Sequence, residues 1–158
     1  MRDPLPGPDG RARLIGAGNA LRGDDAAGLL VARRLGGIAH EGEGTALLDL
    51  WDGCDAVVLV DTMRSGLPPG TTRRFDASTE PLPAESRFAS THAIGVAEAI
   101  ELARNLGRLP RIVIVYSVEG VSFEAGAPLS AAVSASLEAL TEAVREELVS
   151  YRRTSSSR

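Results

Sequence analysis

Two short runs, Ala56-Val-Val-Leu-Val60 and Ile112-Val-Ile-Val-Tyr116, restrict the fold of this chain more than any other feature. Each has five residues without a polar break, mostly β-branched. A strand with one wet face alternates apolar and polar residues. An unbroken run belongs to a strand buried on both faces, as in a parallel sheet covered by helices. Helical patterns separate the two. Asp25–Leu35 carries Ala27, Leu30, Val31 and Leu35 on one face and is closed by Gly36-Gly37. Thr45–Trp51 is expected as a short helix with Trp51 over the core, and Thr91–Leu106 as a helix stopped by Gly107 and Pro110. Ser130–Tyr151 aligns Val133, Leu137, Leu140, Val144, Leu148 and Tyr151 in one stripe. Arg11–Gly16 reads as the first strand and Ile38–Glu43 as a weak second. After the turn Ser65–Gly70, Thr71–Phe75 returns too soon for a parallel crossover and is expected as an antiparallel edge strand. Asp76–Ser90 carries two prolines and little periodicity, and reads as a mobile loop. This alternation predicts an α/β fold, a three-layer α/β/α sandwich around a mostly parallel five-stranded sheet containing one antiparallel strand.

A length of 158 residues suits a single domain, 1–158, with its core over about 11–151 and loose ends at 1–10 and 154–158. No apolar run approaches a membrane span, and the first ten residues lack the apolar segment of a secretory signal. A cytoplasmic protein with no membrane partner is expected. Net charge is −4 and the basic residues are scattered, which points away from nucleic acid. All 17 basic residues are Arg, so Schiff-base chemistry and a P-loop lysine are excluded. The single Cys54 rules out an internal disulfide or a CxxC metal site and reads as an ordinary, partly buried thiol.

The stretch from Leu14 to Gly28 runs from a strand through a glycine turn into two adjacent carboxylates. It is not a dinucleotide loop. Leu21 stands where the third glycine of that fingerprint belongs, and Asp24 and Asp25 would oppose a phosphate. A carboxylate site fits better. Asp61 is expected to end the strand Ala56–Val60, and so to emerge at the carboxyl edge of the sheet, where α/β sites form. Asp25 follows the first strand and lies on the same edge, kept ionised by its place in the first turn of a helix. His92 is expected to open a helix behind Ser90 and Thr91, either of which can cap it, and to be biased toward the neutral, metal-binding form. Two carboxylates and an imidazole leave coordination positions open and suit Ni²⁺ or Zn²⁺, not a closed structural site. Taken singly, each has a plainer role: Asp25 as a cap, Asp61 as a loop organiser, His92 as a structural histidine. Asp24 reads as a helix cap and His40 as solvated surface.

The residues also resemble a known family. Four segments, in order, are similar to the hydrogenase maturation proteases: Gly16-Ala-Gly-Asn-Ala-Leu-Arg-Gly-Asp-Asp-Ala-Ala-Gly28; Val57-Val-Leu-Val-Asp-Thr-Met-Arg-Ser-Gly66 with Pro69-Gly-Thr71; Ser90-Thr-His-Ala-Ile-Gly95; and Leu129-Ser130. The resemblance runs from about Arg13 to about Leu148. It implies an aspartyl endopeptidase that trims the C-terminus of the [NiFe] hydrogenase large-subunit precursor. It places the metal-contacting and catalytic positions on Asp25, Asp61 and His92, with Gly18 and Asn19 in the turn that positions Asp25. It further implies that nickel is carried by the precursor and read as a tag, with no organic cofactor. Either a carboxylate acting as general base or the metal polarising the scissile carbonyl can serve the hydrolytic step. A monomer is expected. Two other readings stay open: a nickel-binding assembly factor that does not cleave, and a peptidase of the same fold with another substrate.

Overall fold

The structure, a computed structural model, describes residues 12–84 and 86–156. The leader expected at 1–10 and the last two residues of the tail lie outside them. Strands β1 (Ala12–Ala17), β2 (Ile38–His40), β3 (Ala56–Met63), β4 (Thr72–Asp76) and β5 (Ile112–Glu119) form one sheet in the order β2-β1-β3-β5-β4. β1 pairs in parallel with β2 and β3, and β3 with β5, while β4 is antiparallel to β5. The expected sheet of five strands with one antiparallel member is therefore present. β4 is an edge strand, as its short return requires, but its partner is β5, which inserts between β4 and β3.

The two apolar runs are buried on both faces for a visible reason. Val57, Leu59, Val113 and Val115 face a core shared with α2 (Leu47–Leu50), Trp51 and α3 (Val96–Leu106). Val58, Val60, Ile114 and Tyr116 face the opposite core, under α1 (Ala27–Arg34) and α4 (Ala131–Ser156). Alternate side chains of one strand thus feed two separate cores, which makes three layers. α1 lies close against the sheet. A Cβ at Gly28 would press on the carbonyl oxygens of Val60 and Ala17, so only glycine lets this helix approach.

Several boundaries differ from expectation, and the differences matter for the site. β3 and β5 each continue three residues past their apolar runs, pairing Asp61 with Ser117, Thr62 with Val118 and Met63 with Glu119. Asp61 therefore lies inside the strand and does not end it. Thr62 and Glu119, buried in this extension, are held by specific bonds, whereas the buried Ser117 hydroxyl has no partner. Thr62 Oγ1 donates to the Asp24 carbonyl, and the Glu119 carboxylate accepts from the Ser65 amide and hydroxyl and the Gly66 amide.

α3 begins at Val96, so residues 91–95, expected to be helical, form a loop. Local bonds compete there with the helix: Ser90 Oγ accepts the His92 amide and the Glu43 carboxylate accepts the Ile94 amide. Beyond β4, the described residues of 77–90 form no helix or extended strand, but they are tethered. Arg104 donates to the carbonyls of Ala77, Ser78 and Glu80, and Phe88 bridges to Met63. Leaving β1, the chain turns to β2 on one side and then to β3 on the other. This reversal opens a crevice beyond the carboxyl ends of β1 and β3.

Candidate active site

Asp25 enters the crevice from a 3-10 turn, Gly23–Ala26, placed between β1 and α1. The preceding loop is built to put it there. Gly18 has φ of 155°, and a Cβ on it would collide with the Asp25 carbonyl oxygen. The Asn19 amide donates to that same carbonyl at 3.1 Å, and Asn19 Oδ1 accepts the Leu21 amide. Asp61 arrives from β3, its Oδ1 accepting the Thr62 amide at 2.7 Å. Asp25, Asp61, His40 and His92 line one cleft, with Gly18 and Gly44 in its walls. Its free volume is about 20 Å³, room for a water-sized species. Strand-edge reasoning therefore brought the three expected residues to one place.

Their environments are not the expected ones. Asp25 and Asp61 are 2% and 3% exposed. Burial raises the Asp25 carboxyl above its ordinary value, outweighing the Arg22 guanidinium and the His92 ring that act to lower it. Desolvation thus works against the helix-start charge that is expected to favour the ionised form of Asp25. Asp61 is pushed up further, first by burial and then by the charges of Asp25 and Glu98, against a single opposing bond from the Thr62 amide. Both carboxyls are therefore raised, Asp25 against the opposing charge of Arg22 and Asp61 with the charge of Asp25 beside it. Asp25 Oδ2 accepts from Arg22 Nη1 at 3.1 Å, whereas Oδ1 is buried without a partner. An unpaired buried acceptor facing a small cleft awaits a donor or a cation.

His92 does not open a helix; it sits four residues before α3, beyond the reach of that helix's dipole. Its Nδ1 lies 3.1 Å from Glu43 Oε1 and its Nε2 lies 2.9 Å from the Glu41 carbonyl oxygen. Among the described residues no three His, Cys, Asp or Glu side chains stand close enough to hold a metal ion. Asp25, Asp61 and His92 share a cleft without forming a ready cage. His40, expected as solvated surface, is half-buried in the cleft wall, with Nε2 3.0 Å from the Glu43 carbonyl oxygen. Asp24 caps no helix of its own segment. Its carboxylate accepts the Val121, Ser122 and Ser130 amides, so it serves the scaffold and leaves the cleft to its neighbour. Cys54 is a half-buried free thiol, as expected.

The sequence profile of the HycI-type hydrogenase maturation proteases matches residues 42–147. The chain belongs to the hydrogenase maturation protease family. Among solved structures, this family member resembles the hydrogenase maturating endopeptidase HybD of Escherichia coli, with a TM-score of 0.74 and 25% identity over 89% of this chain and 93% of that one. It also resembles the [NiFe] hydrogenase maturation protease HybD of Thermococcus kodakarensis, at a TM-score of 0.72 and 28% identity over 87% and 99% of the two chains. The hydrogenase expression/formation protein HupD of Thiocapsa roseopersicina is 30% identical over 82 residues, 52% of this chain and 37% of that protein. The matched stretch thus spans little more than a third of that relative.

Three residues that hold the side chains of the cleft, Arg22, Glu41 and Glu43, are not singled out by the sequence. Arg22 stands three positions before Asp25, a spacing at which opposite charges meet, and that signal was available. Glu41 and Glu43 gave none, because they reach His92 across about fifty residues of chain.

Proposed function

We propose that this protein is the endopeptidase that removes the C-terminal extension from the large-subunit precursor of a [NiFe] hydrogenase after nickel insertion. Nickel is part of the substrate, not a resident cofactor, and it is met by Asp25, Asp61 and His92. The observation that carries this reading is the unpaired, buried Asp25 Oδ1 in a cleft shared with Asp61 and His92. Carboxylate oxygen and imidazole nitrogen are donors that Ni²⁺ accepts, and a partial set suits a metal that brings its other ligands with it.

Hydrolysis can be served by Asp25 or Asp61 acting as general base on water, or by the metal polarising the scissile carbonyl. The protein works as a cytoplasmic monomer, and no helix among the described residues is long and apolar enough to cross a membrane.

The test is processing of nickel-loaded and nickel-free cognate precursor by wild type and by His92→Ala, read by mass spectrometry of the precursor C-terminus. Cleavage of the loaded form alone, lost in His92→Ala, is the expected result. Equal cutting of the nickel-free form, or cutting by the variant, overturns the metal-reading role. Binding without cutting identifies an assembly factor instead.

A further inference from the structure

We propose that Glu43 is the positioning residue of His92, and that the Glu41 carbonyl oxygen holds the place at Nε2 which the substrate's metal takes. The inference rests on the reading above, in which His92 contacts the nickel of the precursor. Its basis is the strap 41–44, which bonds to Ala20, His40 and the loop that carries His92. The Glu43 carboxylate spans His92 and its loop: Oε1 lies 3.1 Å from Nδ1 and Oε2 accepts the Ile94 amide at 3.3 Å. The next residue locks the register, because the Gly44 amide donates to the Ile94 carbonyl at 2.8 Å. Gly44 is buried, and a Cβ there would sit 2.6 Å from the carbonyl oxygens of both Ile94 and Gly95. The strap therefore cannot slide against the 91–95 loop. On its other side, Glu41 Oε1 accepts the Ala20 amide at 2.8 Å, joining the strap to the turn that carries Asp25.

A histidine on an irregular loop has no helix or strand to fix its ring. A carboxylate at one ring nitrogen supplies that fixing, setting the ring plane and leaving the other nitrogen as the one offered to a metal. Glu43 makes that contact from a residue whose other oxygen is already committed to the same loop. Nε2 lies 2.9 Å from the Glu41 carbonyl oxygen, a contact that is given up, with the Nε2 proton released to solvent, while Nδ1 stays on Glu43. Glu43 is exposed, so it adds little to folding, and its removal is expected to leave the fold intact.

The test uses the full chain with Glu43→Ala and Glu43→Gln. In the free protein, nitrogen-detected imidazole spectra of His92 should show one ordered ring in wild type and in Glu43→Gln, which keeps an acceptor for Nδ1. Glu43→Ala should show an averaged ring at an unchanged melting temperature. With nickel-loaded precursor, Glu43→Ala should raise KM about 10–100-fold with little change in kcat, and Glu43→Gln should recover most of the loss. An unchanged His92 spectrum in Glu43→Ala, or a wild-type KM, overturns the proposal. If wild type itself leaves the loaded precursor uncut, the processing function falls, and the spectra of the free protein still decide whether Glu43 holds His92.

Discussion

Asp24 Oδ1 accepts the Ser130 amide at 2.7 Å, tying the turn that carries Asp25 to the residue that opens α4, 106 positions along the chain. Oδ2 takes the Val121 and Ser122 amides at 2.8 and 3.0 Å. Burial alone would raise this carboxyl, but the three amide bonds outweigh it and hold it below 3.8, opposite in direction to its neighbour Asp25. Asp24→Asn places an NH₂ against at least one of these donors, and a loss of about 2–4 kcal/mol is expected. The folded value is the lower one, so the contribution of Asp24 is complete above 3.8 and fades as pH falls through the folded value. Chemical denaturation at pH 7 should show the full deficit, and at low pH the gap to wild type should narrow. Equal stability at pH 7 would sink the anchor.

A second fastening holds α4 to the edge strand. The Glu147 carboxylate accepts Arg74 Nε at 2.8 Å and the hydroxyls of Tyr116 and Tyr151, each at 2.6 Å. Burial works to raise Glu147, but these donors win and lower it, so its contribution is present above 4.5 and lost as acid takes pH through the folded value. Tyr116 is pushed up to about 12 by burial and by Glu147, so its share persists at pH 10 and disappears as pH rises through about 12. Glu147→Gln should cost about 1–2 kcal/mol at pH 7, discounted because Arg74 is half-exposed. Melting curves from pH 3 to pH 12 should show wild type and variant converging at both ends. A constant difference across that range would exclude the cluster as its source.

Gly28 sets how closely α1 approaches the site. With Gly28→Ala, the new methyl meets the Ala17 carbonyl at 2.6 Å and the Val60 carbonyl closer still, immediately before Asp61. The helix must shift away, at about 1–3 kcal/mol. Precursor processing should fall by more than the lost stability explains, because the strand that presents Asp61 moves with it. Unchanged denaturation and processing in the variant would show that the helix has slack.

The layers and the sheet were legible because Ala56–Val60 and Ile112–Tyr116 carry their burial in composition, and no loop chemistry is needed to read that. Strand ends made the shared edge of Asp25 and Asp61 legible, and both line one cleft with His92. What failed was local. Asp61 was placed at a strand terminus because a carboxylate usually closes an apolar run, whereas pairing with β5 continues through it. His92 was placed on a helix because Ser90 and Thr91 imitate a cap, whereas Ser90 bonds His92 within a loop. At Asp25 a helix start favours negative charge while burial, which the sequence does not display, works in the opposite direction. Contacts across long loops, such as Glu43 with His92, leave no periodic trace in a sequence.

Asp61 separates stability from function most sharply. Its folded carboxyl is raised well above 3.8, so folding takes up a proton, and the residue weighs against the folded state increasingly as pH rises from 3.8 toward the folded value. Asn has the shape of the protonated acid and keeps an oxygen for the Thr62 amide, without the charge that burial opposes. Asp61→Asn should therefore melt higher than wild type at pH 7, with the advantage shrinking toward pH 4, while processing of loaded precursor is lost. A variant that is less stable at pH 7, or that still trims the precursor, would show that Asp61 is a scaffold residue.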